Sequence, residues 1–231
     1  MKKLFFMCMF VLLSLAIGGN ADAQNGSPAP SVLCPHVGGI TGVFWDLENG
    51  ILRGDLPGGL PTIETVGGTF HSSRNPFLFF NYPVNYTATE VLSEGSLGGV
   101  VVIRNDNQVI WKDELISTST EPDIDGIRDW QVNSVLQFLG LQGNEVQTIC
   151  AQEHVSEVAP GTNIFSITSA RLIQVGTHTT FVSVSSISAP GLLQIRIRAA
   201  AGPSAEFEQL ITSTFLAIEV QLLVTGFGNP Y

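Results

Sequence analysis

Apolar residues crowd the first 17 positions and then thin into alternation with polar ones. After Met1-Lys2-Lys3, the run from Leu4 to Ile17 is apolar except for Ser14, and it closes on Ala21-Asp22-Ala23. A basic start, a run of about 14 apolar residues and a small-x-small site predict a secretory signal peptide over residues 1–23. A spanning helix needs roughly 20 apolar residues, and Gly18, Gly19, Asn20 and Asp22 interrupt this run. No cysteine sits where a lipid anchor requires one, because Cys8 comes too early and Cys34 well past the run.

Residues 24–33 are rich in Pro, Gly, Ser and Asn and read as a flexible tether. From Val43 onward the signals are strands and turns. Phe44–Glu48 and Ile51–Arg53 flank Asn49-Gly50, a strong hairpin signal because both turn residues tolerate positive φ. Thr62–Val66 reads as a strand ended by Gly67-Gly68. The aromatic stretch Phe77–Tyr86 lies between Pro76 and an internal Pro83, which favours a short or edge strand. Its phenylalanines suit a core, while Tyr82 and Tyr86 are the candidates for an exposed binding platform. Gly95–Gly99 reads as a turn. Val100–Ile103, the turn Asn105-Asp106-Asn107 and Val109–Trp111 form the clearest hairpin.

A single helix is expected at Asp129–Leu141, capped by Asp129, with Val132, Val135, Leu136 and Leu139 at i, i+3, i+4, i+7. The alternation Val132-Ser134-Leu136-Phe138 keeps a strand open there. The last third predicts strands at 163–173, 179–187, 192–198 and 215–225. In Ile195-Arg196-Ile197-Arg198 the isoleucines should face inward and the arginines outward. Turn signals at these spacings predict a mainly β domain over residues 34–231. Its expected architecture is an antiparallel two-sheet sandwich, jelly-roll-like in length, with at most one short helix.

Charge then narrows the functions. The chain has 10 Lys+Arg against 20 Asp+Glu; loss of the leader takes Lys2, Lys3 and Asp22, leaving 8 against 19 and Lys112 as the sole lysine. Nothing here provides the basic footprint of a nucleic-acid binder or of a protein attracted to anionic lipid. Charged residues make up only 13% of the chain. So little charge over so much apolar sequence favours a homo-oligomer or another partner. Export places the protein in the periplasm, at the cell surface or outside the cell. There, Cys34 and Cys150 are expected to pair as a disulfide.

The acidic loop is the main site candidate. Glu121, Asp123, Asp125 and Asp129 surround Gly126 and offer oxygen ligands for calcium. Their spacing partly imitates an EF-hand, but Val132 stands where the bidentate Glu should be. The four histidines, His36, His71, His154 and His178, form no zinc motif. On a strand, His154 and Glu157 would point to opposite faces. Gly95-Ser96-Leu97-Gly98-Gly99 misses the Gly-x-Ser-x-Gly spacing of a nucleophile elbow. Glu206-Phe207-Glu208, read as a strand, would put two carboxylates on one face.

The resulting reading is a secreted or cell-surface binding, adhesion or assembly protein with a glycan or protein partner, without a nominated catalytic residue. One alternative is a secreted polysaccharide hydrolase using Asp123, Asp125, Glu206 or Glu208. Another is a small outer-membrane β-barrel, disfavoured by three Trp and three Tyr, too few for two aromatic girdles.

Overall fold

A computed structural model describes residues 43–46, 51–54, 61–157 and 165–225. The signal peptide, the tether, Cys34 and His36 lie outside the described residues. The hairpin expected at Asn49-Gly50 is present as β1 (Val43–Asp46) and β2 (Ile51–Gly54), paired antiparallel.

The centre of the molecule is a seven-stranded antiparallel sheet. It contains β5 (Tyr86–Glu90), β6 (Ser96–Arg104), β7 (Ile110–Ser117), β8 (Val146–Glu157), β9 (Phe165–Val175), β10 (His178–Ala189) and β11 (Leu192–Pro203), in the order β5-β6-β7-β11-β10-β9-β8. Two meanders, β5–β7 and β8–β11, are joined side by side where β11 pairs with β7 from Gln194↔Ser117 to Ala201↔Ile110. A second antiparallel sheet, β3 (Val66–His71) with β4 (Phe79–Pro83), stacks on one face of the first. Phe70 and Phe80 carry that contact: their centroids are 5.4 Å apart, and Phe80 meets Trp111 of β7 edge-on at 6.1 Å. The chain is therefore mainly β with face-to-face antiparallel sheets, as its alternating pattern implies. The large sheet ends at β5 and β8 and does not close, which removes the barrel alternative.

Helix α1 (Ile124–Phe138) covers the opposite face, above β9, β10 and β11. Ile124 and Val135 pack there on Val182, Val184, Ile195 and Ile197. The helix begins earlier than the apolar stripe alone indicates. Asp123, not Asp129, is its cap, with Oδ1 accepting from the Gly126 N–H at 2.9 Å. It ends where Gly140 takes φ +68° and Leu141 N–H reaches back to the Leu136 carbonyl at 2.8 Å.

The segment expected as a strand at 215–225 is helical. Helix α2 (Phe207–Leu210), a π turn (Ile211–Phe215) and α3 (Leu216–Thr225) form one run beside β3–β4. The sequence carries two periods at once. Leu216, Ile218, Val220 and Leu222 alternate, yet Phe207, Ile211, Phe215, Ile218 and Leu222 form a helical stripe, and all five are in the core. The stripe prevails because it fills the space above Trp111, Phe181 and Leu172. Glu206-Phe207-Glu208 thus opens a helix and does not form a strand.

Both faces of β11 are consequently covered, and the arginines expected outside are turned inward. Ile195 and Ile197 lie under α1, while Arg196 and Arg198 lie under the C-terminal helices. Arg196 is held by Asp113, which is fully buried, through Nε at 3.0 and 3.2 Å and a further Nη2 contact. Glu219 of α3 stands 3.6 Å from the same guanidinium. Buried charge of this kind persists only when paired.

Two polar contacts tie the small sheet down. Glu90 of β5 accepts from the Ser72 hydroxyl (2.5 Å), the Ser73 N–H (2.8 Å) and the Ser73 hydroxyl (2.7 Å). Gln221 of α3 offers its amide to the backbone of Asn81 on β4, accepting from N–H at 2.8 Å and donating to C=O at 3.1 Å.

Candidate binding surface

Strand β7 reads Trp111-Lys112-Asp113-Glu114, so its alternation sends Lys112 and Glu114 to the α1 face. Lys112 Nζ donates to Gln131 Oε1 of α1 at 2.9 Å and pairs with Glu114 Oε2 at 3.0 Å. Glu114 also accepts from the Ser93 hydroxyl. Above this set sits Trp130 of α1, its ring centroid 5.9 Å from the ammonium. Lys112 is 8% exposed and Trp130 is 62% exposed. A buried cation beneath an open indole attracts the ring face through its quadrupole and leaves most of the ring to solvent. Beside it, Thr87 and Thr89 of edge strand β5 are exposed, and Val101 and Ile103 of β6 are half-buried. The register puts these four side chains on the Lys112 face.

A helix cap and arginine pairs organise the acidic loop. Asp123 caps α1. Arg128, 2% exposed, donates to Asp125 at 2.5 Å, to Asp129 at 2.9 and 3.0 Å, and to Ser169 of β9. Arg171 adds a contact to Asp129 at 3.2 Å. Glu121 is exposed in the preceding loop. Among the described residues, no group of three or more His, Cys, Asp or Glu side chains is placed to hold a metal ion. The carboxylates that resemble calcium ligands in sequence serve as a helix cap and as arginine partners.

Tyr82 and Tyr86 are half-buried and pack against the main core. The Tyr82 ring occupies the space a Cβ at Gly68 would need, so a side chain there would have to displace the ring. Tyr86 lies beside Arg104, and burial pushes its hydroxyl pKa up despite that cation. Arg104 holds Glu206 through two bonds, 3.0 and 3.1 Å, and Asp106 at 2.8 Å. Glu208 is exposed. The named carboxylates are thus dispersed over separate structural contacts. Cys150 lies on β8, half-buried against the core. His154 and Glu157 are on that strand.

Trp130, Glu114 and Gln131 were not evident as a set from sequence. The available signal was Lys112, the one lysine beyond the first three residues of a net acidic chain, directly after the apolar returning half, Val109–Trp111, of a strong hairpin.

No family model matches the chain, and no curated protein sequence matches it. Among solved structures it is similar to LpqN, involved in cell envelope biogenesis of Mycobacterium tuberculosis. That likeness has 14% identity and a TM-score of 0.29, over 60% of this chain and 78% of that one. At that score the likeness carries no argument about this chain's role. Among the described residues, no helix is long and apolar enough to cross a membrane.

Proposed function

We propose that this is an exported binding or assembly protein, periplasmic, secreted or at the cell surface. Its contact surface is Trp130 with the adjoining β5–β6 strand face, and its partner is a glycan or a protein. The carrying observation is the 62% exposed indole held over a buried Lys112–Glu114 pair. An exposed aromatic fixed in orientation loses little entropy on binding, which is why Trp is enriched at binding hot spots. The hydrolase alternative draws less support, because Asp123, Asp125 and Glu206 are each engaged in a cap or an arginine pair. We also place a Cys34–Cys150 disulfide in the exported form, which would tie the start of the mature chain to β8.

The test uses the chain from Gln24. Wild type and Trp130→Ala are compared for thermal stability, for retention on immobilised polysaccharides, and for mass by light scattering. The expected result is unchanged melting, with loss of glycan retention or of self-association in the variant. Equal behaviour of the two proteins in every binding assay would remove the surface. Alkylation without reductant checks the bridge: free thiols at both cysteines of the folded protein would refute it.

A further inference from the structure

We propose that the outer edge of β5 pairs with the same edge of a second copy of this chain, antiparallel and centred on Ala88. Hydrogen bonds at the two ends of β5 fix which way its backbone points. Asn105 N–H donates to the Asn85 carbonyl at 2.8 Å, and Val91 N–H donates to the Gly99 carbonyl at 2.9 Å. Residues bonded to the neighbour strand alternate in an antiparallel ladder, so Asn85, Thr87, Thr89 and Val91 turn toward β6. Tyr86, Ala88 and Glu90 aim their N–H and C=O groups away from the sheet. Among the described residues no hydrogen bond reaches those outward groups. Two other edges are blunted. Gln221 occupies β4 at Asn81, and β8 breaks register between Thr148 and Cys150 and shows Glu153 to solvent. Strand β5 runs in unbroken register and contains no Lys, Arg or Pro; its one charged side chain, Glu90, is turned to Ser72 and Ser73. An unguarded edge is a template for another strand.

A second copy fits this template residue by residue. A two-fold axis at Ala88 sets Ala88 against its twin and Tyr86 against Glu90 of the partner subunit. These pairs exchange main-chain bonds, about six in all. Between them, exposed Thr87 meets Thr89 of the partner subunit, a favourable pair of β-branched side chains. No carboxylate of the strand faces its own twin, which matters in a chain with 20 Asp+Glu against 10 Lys+Arg. The axis keeps corresponding faces together, so the two large sheets become one and both Trp130 indoles stand on the same side of it. Strands of 5 residues make a small interface, so the dimer forms as concentration rises.

Light scattering of the chain from Gln24, from about 1 μM to about 1 mM, reads the pairing. The mass should double across that range. Ala88→Pro deletes an outward N–H at a position where an edge strand tolerates proline; it should stay monomeric with wild-type melting. Thr87→Lys/Thr89→Lys sets like charges opposite each other and should also stay monomeric. Thr87→Lys/Thr89→Glu sets opposite charges there and should dimerise. Both double variants change the same exposed positions, so a general effect on folding moves them together. Trp130→Ala should still dimerise, which leaves glycan retention as the readout of the other surface. A wild-type mass that stays single at every concentration, equal behaviour of the two double variants, or doubling lost with Trp130 overturns the proposal.

Discussion

Cutting Asp113 away from Arg196 should be among the most damaging single changes in the protein. Asp113 is fully buried and accepts three contacts from a guanidinium whose side chain is only 15% exposed. Asp113→Asn removes the charge and turns an N–H₂ toward a donor. Loss of one partner from a buried pair costs about 3–5 kcal/mol, mostly because the other charge stays behind. Glu219, 3.6 Å from Arg196, offsets part of this, so the lower end, about 3 kcal/mol, is expected. That is a large share of a total stability of roughly 5–15 kcal/mol. Urea unfolding reads it as a drop in midpoint at unchanged slope. The double variant Asp113→Leu/Arg196→Met removes both charges and should regain most of the loss. The reasoning fails if the single change costs under about 1 kcal/mol, or if the double variant is no better than the two single losses added.

Three further outcomes follow from contacts already described. Asp123→Ala deletes the α1 cap and should cost about 1 kcal/mol, read as a lower melting temperature; an unchanged melt would mean that Asp123 is free for another role. Glu219 has its pKa raised by burial first. The folded state therefore holds that proton more tightly, and its contribution is present below the ordinary carboxylate range and lost as pH rises through the folded value. Glu219→Gln should flatten melting temperature against pH; a parallel wild-type profile would contradict this. Glu90 behaves oppositely. Burial works against its carboxylate, but bonds from Ser72 and Ser73 outweigh it and hold its pKa low, so its contribution is lost as pH falls. Glu90→Gln should destabilise at pH 7 and converge with wild type in acid, and a constant deficit would refute the assignment.

Hairpins were the most legible part of the chain, because their signals are local. Asn49-Gly50 and Asn105–Asn107 each announce a turn, and Asn107 does take φ +59°. The strands at 165–175, 178–189 and 192–203 follow the expected ones closely, since apolar runs with Gly breaks specify them. Strand β8 carries Gln, Thr, Glu and His and gave no apolar signature, yet it forms an edge. Segment 215–225 supports either period, and only the tertiary space above Trp111 selects the helix. Alternation sends Arg196 and Arg198 outward on a half-exposed strand, but β11 lies inside the sheet with both faces covered. The acidic loop shows its carboxylates in sequence but not Arg128 and Arg171, which reach Asp125 and Asp129 only in the folded chain. Lys112, Gln131 and Trp130 come together only once α1 crosses the sheet, so no spacing rule could have found them.

Gln221 substitutes for a missing neighbour strand. Its carboxamide copies one peptide unit and occupies the N–H and C=O of Asn81, which β4 would otherwise show to other chains. The residue that does this is 140 positions downstream of Asn81. Wherever α3 is undocked, the N–H and C=O of Asn81 stand open on a sheet edge, a place where another strand can pair.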